Sequence, residues 1–146
     1  MPPDRILPQI RIFDRSRSGL PLPALRAASQ RALLLVLALR RFDGDALAAL
    51  DAIEVSLVDD STMARLHEEF LHIPGPTDVL SFDHGEILVS VDTAAEQAPL
   101  HGNSLEDEVL LYILHGLLHL AGYDDADAGS AETMAALQEQ LMAQLR

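Results

Sequence analysis

A chain of 146 residues falls in the usual size range of one domain and can bury a hydrophobic core without disulfides or metal staples, so a single unit spanning 1–146 is expected. It contains no cysteine, which excludes a disulfide framework and a thiolate zinc site, suits a reducing cytoplasm, and leaves His, Asp and Glu as the only ligands for a metal. The formal charge of −13 opposes nucleic-acid binding, but it is lopsided, at +6 over residues 1–41 and −19 over residues 42–146.

Gln9-Ile10-Arg11-Ile12-Phe13 alternates polar and apolar residues and predicts a short half-buried strand. Leu22 to Phe42 is rich in Ala, Leu and Arg, has prolines only at its start and meets Asp43-Gly44-Asp45, which predicts a long helix. Its longest apolar run, Ala32 to Leu39, is too short to cross a bilayer, and the start Met1-Pro2-Pro3-Asp4-Arg5 lacks a signal-peptide apolar region, so neither a membrane nor secretion is expected. The arginines of this basic part read either as a phosphate-facing surface or as a solvated helix face, and the plainer second reading is preferred.

Ala52 to Val58 alternates again, and Asp59-Asp60-Ser61-Thr62 then offers capping side chains to a second helix bearing Met63, Leu66 and Phe70. Ile73-Pro74-Gly75-Pro76 breaks that helix. Val79 to Phe82 and Glu86 to Val91, separated by Asp83-His84-Gly85, predict a hairpin. Asn103 or Ser104 can cap a helix with Glu106, Asp107 and Glu108 in its first turn, Ser104 and Asp107 resembling a capping box. That helix runs to Leu120-Ala121, is apolar on nearly every side and is expected to be the buried central one, ended by Gly122. A last helix spans about Ser130 to Leu145. The fold class is α+β: one domain, a mixed sheet of about four strands packed with about five helices.

His115 and His119 are four residues apart, so on a helix both imidazoles reach one ion. Gly122 lets the chain turn back and bring Asp125 toward it as third ligand, with Asp124 a second candidate. Three protein ligands leave a position for water, which marks a reactive rather than a closed site. Zinc is the default for this set, although two histidines and a carboxylate also suit non-haem iron and other divalent metals.

His115-Gly116-Leu117-Leu118-His119-Leu120-Ala121-Gly122-Tyr123-Asp124-Asp125 resembles the signature HGxLHLxGYDH of the YbeY family at every fixed position but the last. Thr77-Asp78-Val79-Leu80-Ser81-Phe82, followed by Gly85-Glu86-Ile87, resembles that family's second motif, and the likeness covers roughly Ile53 to the C-terminus. It implies a zincin-like metal helix and a zinc-dependent, single-strand-specific endoribonuclease of the cytoplasm. Such an enzyme matures the 3′ end of the small-subunit ribosomal RNA and serves ribosome quality control, with single-stranded or ribosomal RNA, and the ribosome or a ribosomal protein, as partners. His115, His119 and Asp125 would hold one Zn2+ and act through the water it activates, and Asp124 or Ser81 could orient that water. Thr77, Asp78, Ser81 and Arg65 are the candidate substrate-binding residues.

Two positions depart from the family pattern. Asp125 replaces a histidine, which lowers the net charge at the metal and shifts preference toward harder ions. Leu66-His67-Glu68-Glu69-Phe70-Leu71 has His67 and Leu71 where the family has an asparagine and an arginine, so a bidentate phosphate clamp is absent, with Arg65 a nearby substitute. His67, His72, His84 and His101 are read as surface residues. A zincin-like metalloprotease is a rival reading, opposed by Gly116 where zincins carry a general-base glutamate. A non-catalytic ribosome-associated metal-binding domain is the other.

Overall fold

The computed structural model describes residues 7–39, 46–73, 75 and 77–145. Four strands, β1 (Gln9–Asp14), β2 (Ala52–Val58), β3 (Val79–Phe82) and β4 (Glu86–Ser90), form one sheet in the order β1-β2-β4-β3. β1, β2 and β4 run parallel, and β3 pairs antiparallel with β4, so the sheet is mixed as expected. Among the described residues five α-helices accompany it: α1 (Leu22–Leu39), α2 (Asp60–Leu71), α3 (Val91–His101), α4 (Leu105–Leu120) and α5 (Ala128–Leu145).

Parallel neighbours need a crossover, and α1 supplies the one between β1 and β2. By length and composition alone α1 could cross a bilayer. Instead it buries Leu25, Ser29, Ala32, Leu33 and Val36, one helical stripe, against α4, β1 and α5. Arg26 donates to the carbonyl of Ile10 at 3.0 Å and Arg31 to that of Leu145 at 3.2 Å, so these two arginines fasten α1 to its neighbours. Asp43-Gly44-Asp45, read as the end of this helix, lies outside the described residues, as do Pro74 and Pro76.

Asp59 caps α2 by accepting from the amide of Thr62 at 2.7 Å, as its sequence suggests. The hairpin also forms, but its second strand stops at Ser90 rather than Val91. Ser90 accepts from the amide of Thr93 at 3.1 Å and starts α3, a helix that the strand reading leaves out. Two features hide it. Val91 prolongs the apolar run of β4, and Pro99 sits inside the helix, where a proline argues against one. α5 begins two residues earlier than expected, with Asp127 accepting from the amide of Ser130 at 2.8 Å.

The main core lies between one face of the sheet and α1, α3, α4 and α5, with α4 at its centre. A smaller cluster of Val58, Met63, Leu80 and Leu88 joins α2 to the opposite face. α4 buries Val109, Ile113, Leu114, Leu117 and Leu118 completely and passes close over β4 because Gly116 has no side chain. A Cβ at Gly116 would stand 3.0, 3.1 and 3.3 Å from three side-chain atoms of Ile87.

Candidate metal centre

α4 is buried almost all round, yet Glu108, Tyr112, His115 and His119 succeed one another at steps of four, three and four residues. On a helix these positions share one face, so a polar stripe runs along the central helix of the core. Its C-terminal end holds the two histidines, and a tight turn then reverses the chain. Gly122 adopts φ +101°, where L side chains are strained. Its amide donates to the carbonyl of His119 and that of Tyr123 to Leu118, both at 3.0 Å, the paired reverse bonds of a Schellman ending.

That turn returns Asp125 to the histidines. His115 Nε2 lies 3.0 Å from His119 Nε2 and 3.8 Å from Asp125 Oδ2, and one donor atom of each residue lies within 4.8 Å of the other two. Donors about 2.0–2.1 Å from a tetrahedral ion stand roughly 3.3 Å apart, so the spread suits one small divalent cation. Among the described residues this is the one group of three His, Asp or Glu side chains so arranged. Asp124, the other candidate, accepts from the amide of Ala126 at 3.2 Å, and Asp127 caps α5. Of the three aspartates in the turn, Asp125 is the one whose carboxylate turns to the imidazoles.

Both rings are oriented from behind. Gln138, on α5, pairs with His115 through its amide oxygen and the ring Nδ1. An amide oxygen can only accept, so the proton sits on Nδ1 and the lone pair of Nε2 faces the convergence point. His119 hydrogen-bonds the backbone of Tyr123. Burial, and then the neighbouring His115, hold His119 below the ordinary imidazole value despite the opposing pull of Asp125, which favours the neutral ring a cation requires. Two imidazoles and a carboxylate are a donor set that fits a divalent ion.

A cleft of about 550 Å3 opens beside His115, and Thr77, Asp78, Tyr112 and Gln138 are among its walls. Thr77 and Asp78 thus line the same cleft as His115. Ser81 and Arg65 are not among the lining residues, and Arg65 is exposed on α2. Leu71, at the position of the missing arginine, is 47% exposed. His67 is buried, contrary to the surface reading, and its Nδ1–H donates to the carbonyl of Gly75 at 2.8 Å. It therefore anchors the loop that leads to Thr77 and Asp78. His101 is half-exposed, but its Nδ1 lies 2.8 Å from the fully buried Glu108. Glu108 also accepts from Asn103 at 2.9 Å and bonds Tyr112, whose phenol is held far above its ordinary value by burial first and by Glu108 next.

The family that the motifs resemble is also the one that comparison with known proteins finds. The family model of Endoribonuclease YbeY matches residues 14–146. The chain belongs to the YbeY family. It is 38% identical to an Endoribonuclease YbeY of Micrococcus luteus over 62% of this chain and 68% of that one. The corresponding YbeY relative from Kineococcus radiotolerans is 39% identical, with 64% of each chain covered. That from Thermobifida fusca is 38% identical over 72% of this chain and 80% of its own. The aligned stretch thus spans less than two thirds of the Kineococcus protein. The solution structure of TM1509 from Thermotoga maritima superposes with a TM-score of 0.62 at 26% identity, covering 94% of this chain and 89% of that one.

Sequence reasoning locates the YbeY signature but misses Gln138, Tyr112 and the α3 wall of the cleft. Gln138 has a signal. Met134, Leu141, Met142 and Leu145 form the buried stripe of α5, and Gln138 falls on it as a lone polar residue.

Proposed function

We propose that this chain is a metal-dependent endoribonuclease that cleaves single-stranded RNA, in the cell ribosomal RNA at the small-subunit 3′ end, with His115, His119 and Asp125 holding one Zn2+ in the cytoplasm. The observation that carries the reading is the convergence of two Nε2 atoms and a carboxylate oxygen beside an open cleft, with the Nδ1 proton of His115 fixed by Gln138. A bound zinc ion supplies Lewis acidity, bringing the pKa of a water toward neutrality and polarising a phosphodiester oxygen.

The residues around it divide the remaining work. Asp125 brings one negative charge where the family pattern has a neutral histidine, which lowers the net charge available to the substrate phosphate. Tyr112 is no base for the reaction, since burial and Glu108 keep its phenolic proton in place. Leu71 supplies no bidentate clamp, so phosphate charge must be met without a guanidinium at that position. With a net charge of −13, the chain gains little from long-range attraction to RNA. A contact with the ribosome or a ribosomal protein would replace that attraction, and is part of the proposal.

The packing at Gly116 speaks against the protease alternative. The three close approaches to Ile87 would crowd any side chain there, so α4 is packed for the glycine that stands where a zincin carries its base. The test is elemental analysis of the purified protein with His115→Ala and Asp125→Ala beside it, each also incubated with single-stranded ribosomal RNA. Near-stoichiometric zinc and RNA cleavage, both lost in the two variants, is the expected result. A wild type that takes up no transition metal when zinc is supplied would refute the centre, and stoichiometric zinc without turnover on any RNA would favour a non-catalytic binding domain.

A further inference from the structure

The cleft beside His115 has a chemistry of its own. One side is lined by Leu111, Tyr112 and His115 of α4, and another by α3, which contributes Thr93, Gln97 and His101. At about 550 Å3 it has the size of a small-molecule site, for which about 300–1,000 Å3 is usual. No arginine lines it, the ring of His101 is taken by Glu108, and Asp78 places a carboxylate on the wall. An anion is therefore poorly served away from the metal end.

Beyond the Asp78 carboxylate, the hydrogen-bonding groups of α3 that face the space and are not taken up by Glu108 are neutral. Thr93 donates its hydroxyl proton to Asp60 at 2.9 Å, so toward the cleft it can only accept. Gln97 is half-buried, and its amide has no partner among the described residues, leaving a donor and an acceptor side by side. Leu111 adds an apolar wall. A flat group with apolar faces and an edge bearing adjacent donor and acceptor atoms matches this surface, and that is the description of a nucleobase.

Resting on the endoribonuclease reading, we infer that this cleft is the subsite for the nucleoside next to the scissile phosphate, with the Gln97 amide reading the edge of its base. The phosphate of that nucleotide then faces His115 and Asp125, at the one end of the cleft where a cation would be held. Gln97 is a specificity-determining residue on this account, and α3 is the wall that carries it.

The experiment titrates adenosine, guanosine, cytidine and uridine, and separately inorganic phosphate, into the full chain while the amide resonances are followed by NMR. At least one nucleoside should saturate with shifts at Thr93, the Gln97 side-chain amide and Tyr112, and phosphate should leave these unmoved. Gln97→Leu should weaken that nucleoside at least tenfold, and Gln97→Trp, which fills the space, should abolish binding, both with the wild-type melting temperature and zinc content. Mapping of cuts in a random single-stranded RNA should show a changed nucleotide preference in Gln97→Leu. No shifts with any nucleoside, equal shifts with phosphate, or unchanged affinity and cut pattern in Gln97→Leu would each overturn the subsite. Failure of the wild type to hold metal or cut RNA is read separately and would overturn the enzymatic reading, whatever the nucleosides do.

Discussion

Gln138→Leu removes the acceptor behind His115 while keeping an apolar side chain of similar size on the buried stripe of α5. The imidazole then loses the partner that fixes its tautomer, and either nitrogen can carry the proton. Loss of such a supporting bond typically lowers metal affinity about 10–100-fold, or roughly 1.4–2.8 kcal/mol at 1.4 kcal/mol per decade. The loss should fall on metal binding rather than on folding, since a leucine continues the stripe of Met134, Leu141 and Met142. Competition against a chromophoric zinc chelator gives the affinity, and urea unfolding of the metal-free protein gives the stability. Gln138→Glu, which keeps an acceptor and adds charge, should hold zinc at least as tightly as the wild type. Zinc affinity within twofold of wild type in Gln138→Leu, at unchanged stability, would refute the assignment.

Glu108→Leu removes the acceptor shared by His101, Asn103 and Tyr112, and should cost about 1–3 kcal/mol, chiefly from the buried Tyr112 hydroxyl, read by urea unfolding. In Gly116→Ala a gain of about 1 kcal/mol in helix propensity opposes about 1–3 kcal/mol of crowding against Ile87, so a net loss of roughly 1 kcal/mol is expected in the same assay. Asp14 has its carboxyl nudged up by burial, but hydrogen bonds from Ser16 and Ser18 outweigh this and hold it below the ordinary value of 3.8. The associated stability is full above that unfolded value and is lost as pH falls through the lowered folded one, so the melting-temperature gap between wild type and Asp14→Asn should be widest well above 3.8 and should close as pH falls below it. Because Arg26 and Arg31 are spent on backbone carbonyls, at most six of the eight arginines in residues 1–41 are left for phosphate, and the affinity for single-stranded RNA should fall with log salt well short of the slope of about −4.2 that six contacts at −0.7 each would give. A slope of −4 or steeper, measured by fluorescence anisotropy, would restore the phosphate-facing reading of the basic segment.

The parts of the fold legible in the sequence are those where local chemistry and tertiary packing ask for the same thing. β1 and β2 alternate, Asp59 and Ser104 cap where capping residues are written, and Gly122 turns the chain where a left-handed residue is required. α3 is not legible, because tertiary packing of Val91, Ala94 and Ala98 overrides both a strand-like start and an internal proline. His67 misleads for a related reason. Its neighbours Leu66 and Glu68 give no sign that the ring is turned inward, and its partner, the Gly75 carbonyl, is supplied by a loop whose course the sequence does not state.

The candidate site shows the same division more sharply. His115 and His119 are related by helical spacing and Asp125 by one turn, so all three are near in sequence and can be joined by local rules. Gln138 and the α3 wall come from elements that reach the site only through packing on α4. On α4 and α5 the site nevertheless leaves a trace of one kind, a polar residue in a position that helical periodicity assigns to the core. Glu108, Tyr112, His115 and His119 form such a series on α4, and Gln138 interrupts one on α5. Burying polar groups costs free energy unless they are paired, so a polar stripe on a buried helix implies either partners or a cavity facing it. Here both hold, since Glu108 collects three donors at one end while His115 opens on the cleft at the other. The stripe therefore marks the line along which this fold gives up hydrophobic packing, and the chemistry lies where that line meets the turn at Gly122.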